Sequence, residues 1–448
     1  MNWYGQHILI LGLGSSGWAA ACWLGRRGAE LRVADNAAEP PNLARLRTLF
    51  PAVEVTLGDW NEADFLWADR IIVSPGVPMS HPMIQAALSR GIAVWSDVEL
   101  FAQALPQHVQ VIAITGSNGK STVTSMVHAI CLAAGKKSLM AGNIGLPVLD
   151  ALENHPETEL FVLELSSFQL EAIYTLNPAA ATVLNISEDH LDRHADLQSY
   201  AAIKARIFTG DGVQVLNRDD RWSAAMAQAG RKVLNFGLGP SEYEHEFGVR
   251  DGYLCRGTEA LMALDSLAVV GMHNAANALA AWALCFAAGL PDAAAASALS
   301  QFQGLPHRVE WVARIGEVDF YDDSKGTNVG ATEAALKGLN RPVVLIVGGE
   351  GKGQDFSPLA EAATRSARAV IQIGRDGPLI AEALTATGVP VLRAESMEQA
   401  VLSAYARTQP GDAVLLSPAC ASFDMFRNYA HRAEVFVAAV AQLSREMQ

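Results

Sequence analysis

A lysine and two hydroxyl residues behind a glycine turn can grip a polyphosphate, and the chain has that arrangement in Thr115-Gly116-Ser117-Asn118-Gly119-Lys120-Ser121-Thr122. Backbone N–H groups and the start of a following helix, expected near Val123, would wrap the phosphates. Lys120 would offset charge on the terminal ones, and the hydroxyl of Ser121 or Thr122 would ligate magnesium. The spacing departs from GxxxxGK[ST], because Ile114 stands where the first glycine belongs, and this argues against a motor-type ATPase. A second glycine turn, Gly12-Leu13-Gly14-Ser15-Ser16-Gly17, is followed by Asp35 at the end of the next apolar run. Its glycines would let a diphosphate approach the backbone, and the acid could accept hydrogen bonds from ribose hydroxyls. An NAD-dependent dehydrogenase would use that chemistry, and so would a protein that binds a UDP-sugar. A glycine turn that only packs strand on helix is the plain alternative.

Further groups fall at the ends of apolar runs. Glu164 closes 160–165, where a carboxylate can hold magnesium, although an acid leaving a strand is usually just solvated. Residues 185–194 read Asn-Ile-Ser-Glu-Asp-His-Leu-Asp-Arg-His, a density of ligand-type groups that suits metal or phosphate chemistry, although without the upstream phosphate loop a charged surface loop would be the better reading. Zinc is disfavoured, since no thiolate accompanies the histidines. Lys204, in the helical stretch 200–208, reads as a solvated lysine, and Lys352 reads as a lysine exposed by the glycine loop Gly349-Glu350-Gly351-Lys352.

These groups need rigid elements to hold them. Runs at 7–11, 30–34, 70–74, 109–115, 160–165, 181–185, 343–347, 369–373 and 413–417 read as strands. Alanine-rich helical stretches alternate with them, the pattern of parallel sheets covered by helices. Each phosphate-type loop normally begins its own sheet, which places one boundary near residue 100. Gly304 and Pro306 interrupt a helix and mark a second. The resulting domains are 1–99, 100–304 and 305–448, and 448 residues suit such a division. At 50% hydrophobic and 18% charged residues the chain is an ordinary globular protein, and its net charge of -14 disfavours nucleic acid as a partner. The five cysteines include no CxxC pair and suit a reducing compartment. No secretion signal precedes the first strand, and 275–290 reads as a buried helix rather than a membrane span. A cytoplasmic protein is expected.

Taken together these segments resemble the Mur ligase family, whose phosphate loop has this TGSNGKST form. ELSSFQLE, EDHLDRH, HNxxN, HR, DDSKGTN and SPACASFD follow in order across nearly the whole chain. The resemblance implies an α/β protein of three domains: a Rossmann-like N-terminal domain for a UDP group, a central P-loop ATPase domain with a mostly parallel sheet, and a Rossmann-like C-terminal domain for an amino acid. It implies that Gly14, Ser15, Ser16, Asp35 and Asn36 line the UDP site and that Asn143 faces the muramoyl part. Gly116, Ser117, Asn118, Gly119, Lys120, Ser121, Thr122, Asn277, Arg308 and Asp323 would contact ATP. Ser121, Glu164, His190 and Lys204, the last as a carbamate, would hold two magnesium ions. Lys325, Thr327, Lys352, Ser422 and Tyr429 would surround glutamate, whose carboxylates need cationic and hydroxyl donors. The chain departs from the family at His431-Arg432-Ala433, where an arginine followed by glycine is common, and the departure is expected to lie away from the chemistry.

The implied substrates are small molecules: ATP, UDP-N-acetylmuramoyl-L-alanine and D-glutamate, whose hand the residues themselves do not signal. A monomer in solution completes the expectation. γ-Phosphate transfer would activate the alanine carboxylate as an acyl phosphate, with Lys120, His190, Lys204 and Arg308 as the catalytic set, and glutamate's amine would displace the phosphate.

Overall fold

A computed structural model describes residues 2–190, 193–269 and 271–447; Leu191 and Asp192 of the 185–194 segment lie outside the described residues. The apolar runs form three sheets. The first contains β1 (His7–Leu11), β2 (Glu30–Asp35), β3 (Glu54–Leu57), β4 (Arg70–Val73) and β5 (Ala93–Ser96), in the order β3-β2-β1-β4-β5. All its pairings are parallel. Ile8, Leu9, Ile10 and Leu11 are all fully buried, as the continuous apolar run of a strand covered on both faces requires.

The second sheet contains β6 (Gln110–Thr115), β7 (Ser138–Gly142), β8 (Leu160–Glu164), β9 (Ala180–Val183), β10 (Val213–Asn217), β11 (Val233–Phe236), β12 (Glu246–Arg250), β13 (Tyr253–Arg256) and β14 (Glu259–Ala263). Its order is β14-β13-β12-β11-β10-β9-β6-β8-β7, with β12 and β13 antiparallel. That hairpin has no counterpart among the strands expected from sequence. The third sheet contains β15 (Glu310–Ile315), β16 (Val318–Asp322), β17 (Val343–Gly348), β18 (Ala367–Ile373), β19 (Val391–Arg393) and β20 (Ala413–Leu416). Its order is β15-β16-β20-β17-β18-β19, parallel apart from the edge pair β15 and β16. Each strand expected from sequence is present, with ends displaced by a residue or two where runs fray. Of the 275–290 stretch, 275–287 lies on the helix Met272–Ala287 and 288–290 follow its end. No described helix is long and apolar enough to cross a membrane.

Contacts divide the chain into two compact units. One comprises Met1–Asn185, Gln198–Met262 and Ala278–Leu299, and the other comprises Ile186–Leu197, Ala263–Asn277 and Ser300–Gln448. Within the first unit the first two sheets are tied by a buried carboxylate. Glu99, on the helix Asp97–Ala104 that follows β5, is 0% exposed. It accepts from the Tyr174 N–H at 2.7 Å, the Thr175 N–H at 3.0 Å and the Thr175 hydroxyl at 2.6 Å. The Ser96 N–H adds a bond to the Ala172 carbonyl. A buried charge survives only with such a set of donors.

Candidate active site

The first glycine loop leaves β1 where strand order reverses between β2 and β4, the crevice in which open parallel sheets bind ligands. Gly12 has φ +86°, and a Cβ on Gly17 would lie 1.9 Å from the Gly12 carbonyl oxygen, so the fold itself demands glycine there. A Cβ on Gly14 would meet nothing within 4 Å. No protein contact explains glycine at that position, and the open space leaves room for a ligand. Ser15 and Ser16 begin the helix Ser15–Gly25. Asp35 is engaged by backbone: its carboxylate accepts from the Leu13 N–H at 2.6 Å and the Ala37 N–H at 2.8 Å. It thereby braces the loop, and Asn36 beside it is exposed. Asp97 is buried, which pushes its carboxyl up to about 6, while the Ser16 side chain and the Val98 N–H draw it back.

The second loop leaves β6, which lies between β8 and β9. Its helix runs Lys120–Ala133 and starts three residues before the expected Val123, because Gly119 at φ +83° serves as the N-cap. Lys120 Nζ donates to the Gly116 and Ser117 carbonyls at 2.8 Å each, while Ser121 and Thr122 are buried in the first helical turn. Asn185, just past β9, accepts from the Asn118 N–H at 2.8 Å and donates to the Asn118 carbonyl at 3.1 Å, and its own carbonyl accepts from the Ser117 N–H. The loop is thus braced by its own lysine and by Asn185 from the segment after β9.

Glu164 ends β8 opposite Ile114, at the foot of this loop. It is 1% exposed, its Oε1 accepts from Asn143 Nδ2 at 2.7 Å, and its buried Oε2 has no partner among the described residues. A buried carboxylate oxygen without a donor is costly. A magnesium ion fits the vacancy in its bonding, since that ion takes one or two carboxylates beside substrate phosphates. Asn143, expected to face the muramoyl part, is held against Glu164. Lys204 is not solvated as a lone helical lysine would be: it is 1% exposed, 3.2 Å from the Thr115 hydroxyl and 4.7 Å from the Tyr200 ring centre. Thr115 in turn donates to the Leu165 carbonyl at 2.6 Å, which ties Lys204 to the root of the phosphate loop.

In the second unit, loops after β16, β20 and β17 converge because these strands are neighbours. Asp323 is buried and accepts from the Ser417 hydroxyl at 2.7 Å. Burial pushes its carboxyl up to about 7, with Ser417 and the charge of Arg308 acting against the rise. Lys325 Nζ sits 3.7 Å over the Tyr429 ring. Thr327 donates its N–H to the Lys325 carbonyl, and Ser422 is buried where its carbonyl accepts from the Phe426 N–H. Lys352, at φ +53°, is an ion-pair partner and not simply exposed: its Nζ lies 2.9 Å from Asp189 Oδ1, and Asn328 Nδ2 reaches the other oxygen at 3.4 Å. His190 Nε2 is 3.7 Å from that same oxygen. Asn277 donates to Asn274 at 3.3 Å.

Sequence reasoning missed several groups. Asn185 and Asp189 were inside the 185–194 segment, but only the strand order shows what they brace. Arg432, expected away from the chemistry, is 0% exposed and ties the Lys325 loop. Its guanidinium donates to the Ser324 hydroxyl at 3.0 Å, the Ser324 carbonyl at 2.7 Å and the Cys420 carbonyl at 3.0 Å. Burial lowers it to about 10. His307 pairs with Asp322 across 15 residues of sequence, a relation no local signal announces.

The Mur ligase MurD-like N-terminal domain family matches residues 6–96, the Mur ligase middle domain family residues 114–285, and the Mur ligase glutamate ligase domain family residues 307–420. The chain is 55% identical over 445 residues to the UDP-N-acetylmuramoylalanine--D-glutamate ligase of Methylobacillus flagellatus, covering 98% of each. It is 53% identical to the protein of that name from Thiobacillus denitrificans, covering 99% of this chain and 97% of the relative. Among solved structures it resembles a pseudomurein peptide ligase type C from Methanothermus fervidus, at 16% identity, TM-score 0.61 and coverage of 98% and 100%. It also resembles the UDP-N-acetylmuramate-alanine ligase MurC of Thermotoga maritima, at 19% identity, TM-score 0.59 and coverage of 97% and 99%. Those two likenesses establish the fold. With relatives more than half identical along its length and all three domain families matched in order, the chain belongs to the Mur ligase family.

Proposed function

We propose that the chain joins D-glutamate to UDP-N-acetylmuramoyl-L-alanine in peptidoglycan precursor synthesis, forming an acyl phosphate and releasing ADP and phosphate. The carrying observation is the phosphate loop braced by Asn185 beside Glu164, whose buried Oε2 lacks a partner among the described residues. The D-glutamate ligase relatives supply the substrate pair.

The unactivated carboxylate is a poor electrophile, so phosphorylation turns one of its oxygens into a leaving group. Lys120 would leave the loop carbonyls for the triphosphate, with Gly116, Ser117, Asn118, Gly119 and Thr122 wrapping it, and Arg308 would share the moving charge. Magnesium, when bound, would offset phosphate charge; Ser121, Glu164, His190 and a carbamylated Lys204 are its proposed ligands, for two ions. Carbon dioxide adds to an amine, and the Lys204 amine is buried beside the Thr115 hydroxyl at the root of the phosphate loop. Gly14, Ser15, Ser16, Asp35, Asn36 and Asn143 would receive the UDP-linked precursor. Asn277 and Asp323 would contact ATP, and Lys325, Thr327, Lys352, Ser422 and Tyr429 would hold glutamate. The proposed domains are 1–99, 100–304 and 305–448, in a cytoplasmic monomer.

The test is ADP release with UDP-N-acetylmuramoyl-L-alanine against a panel of amino acids of both hands, using precursor labelled with heavy oxygen in its carboxylate. Release dependent on precursor and D-glutamate, with label in the phosphate, is expected. Label retained in the product alone would refute an acyl phosphate.

A further inference from the structure

The proposed reaction needs a group that takes the proton shed by the attacking amine. We infer that His307, oriented by Asp322, is that proton acceptor. The inference rests on the ligase reading above and adds to it a catalytic residue.

His307 Nδ1 lies 2.7 Å from Asp322 Oδ2. The Asp322 side chain is 1% exposed and its other oxygen accepts from the Ser324 N–H at 2.9 Å, so the carboxylate is fixed from both sides. A carboxylate partner assigns the ring proton to Nδ1 and leaves a lone pair on Nε2. The His307 side chain is 27% exposed, so the ring remains open to a substrate although Asp322 is not. Its surroundings are the proposed glutamate contacts. The His307 and Tyr429 rings meet edge to face at 6.2 Å, Lys325 Nζ lies over Tyr429, and the Lys325 N–H donates to the His307 carbonyl. Backbone geometry supports a held ring: His307 has φ +63°, and its N–H donates to Glu310 Oε2 at 2.8 Å. An oriented imidazole beside the proposed glutamate contacts is suited to general-base help.

In the step itself the amine nitrogen attacks the carbonyl carbon of the acyl phosphate and the C–N bond forms. The bond from that carbon to the phosphate oxygen breaks, and phosphate leaves with the electron pair. Glutamate's ammonium gives one proton to His307 Nε2, which frees the lone pair for the attack, and its second goes to the departing phosphate oxygen; the Nδ1 proton stays on the ring, hydrogen-bonded to Asp322.

His307→Asn separates this role from a structural one. Asparagine tolerates the left-handed backbone and places an N–H donor where Nδ1 was, but it offers no base at Nε2. Hydroxylamine, an amine already neutral at pH 7, traps the acyl phosphate as a hydroxamate without a base. The variant should form hydroxamate at the parental rate, with glutamate amide formation down by about 10²–10⁴-fold and an unchanged melting temperature. Unimpaired amide formation would overturn the inference. So would equal loss of both products, which would place His307 with Arg308 in phosphoryl transfer or in folding. A parent enzyme that makes neither product would instead sink the ligase reading.

Discussion

Asp323 offers a test of the buried C-terminal loop that does not depend on activity. Its carboxyl is pushed from 3.8 up to about 7 by burial, so the folded state holds the proton more tightly than the unfolded chain does. The carboxyl therefore costs the fold nothing below about pH 4, and stability is lost as pH rises through 7. Fully ionised, the penalty is about 4 kcal/mol, and between pH 5 and pH 8 it grows by about 3 kcal/mol. Asp323→Asn removes the titration while keeping an oxygen to accept from Ser417. Any packing cost of the amide is the same at both pH values and cancels from the difference. Urea denaturation followed by circular dichroism, variant minus parent, should show the variant gaining about 3 kcal/mol on going from pH 5 to pH 8. A difference that does not move with pH would mean that burial does not hold the proton on Asp323.

Glu164→Gln keeps the bond with Asn143 and removes the charge, so calorimetry should show magnesium-dependent ATP affinity falling at least tenfold while ATP binding without the metal is spared. Gly17→Ala, with its Cβ against a backbone oxygen, should cost about 1–3 kcal/mol or more in stability; Gly14→Ala should leave the melting temperature in place and weaken UDP binding. Lys204→Ala should abolish most activity, with partial recovery on adding a small carboxylic acid. Full activity in that variant would end the carbamate proposal.

Nine of the twenty described strands were legible, because parallel strands buried on both faces demand unbroken apolar runs such as His7–Leu11 and Val343–Gly348; strands such as β3, β5 and β7 were not. The hairpin of β12 and β13 was not, since Gly248, Arg250 and Arg256 break its apolar pattern. Loop residues were legible where backbone physics restricts the residue type, as at Gly17 and Gly119. What the sequence could not show was pairing at a distance. Lys204 and Lys352 each read as solvated until the fold brought Thr115 to one and Asp189 to the other. Arg432 read as a local oddity, because an arginine's burial is decided by three oxygens supplied from Ser324 and Cys420.

The clamp at Glu99 bears on how the precursor is measured. The helix carrying it also presents Asp97 to Ser16 in the first glycine loop, while Glu99 itself grips the segment after Glu164. The two loops proposed to cradle the precursor's diphosphate and the triphosphate are thus braced through one helix, as the jaws of a calliper are joined by its bar. A precursor shorter or longer by one residue would be seated by its nucleotide with its carboxylate short of, or past, the phosphate to be transferred.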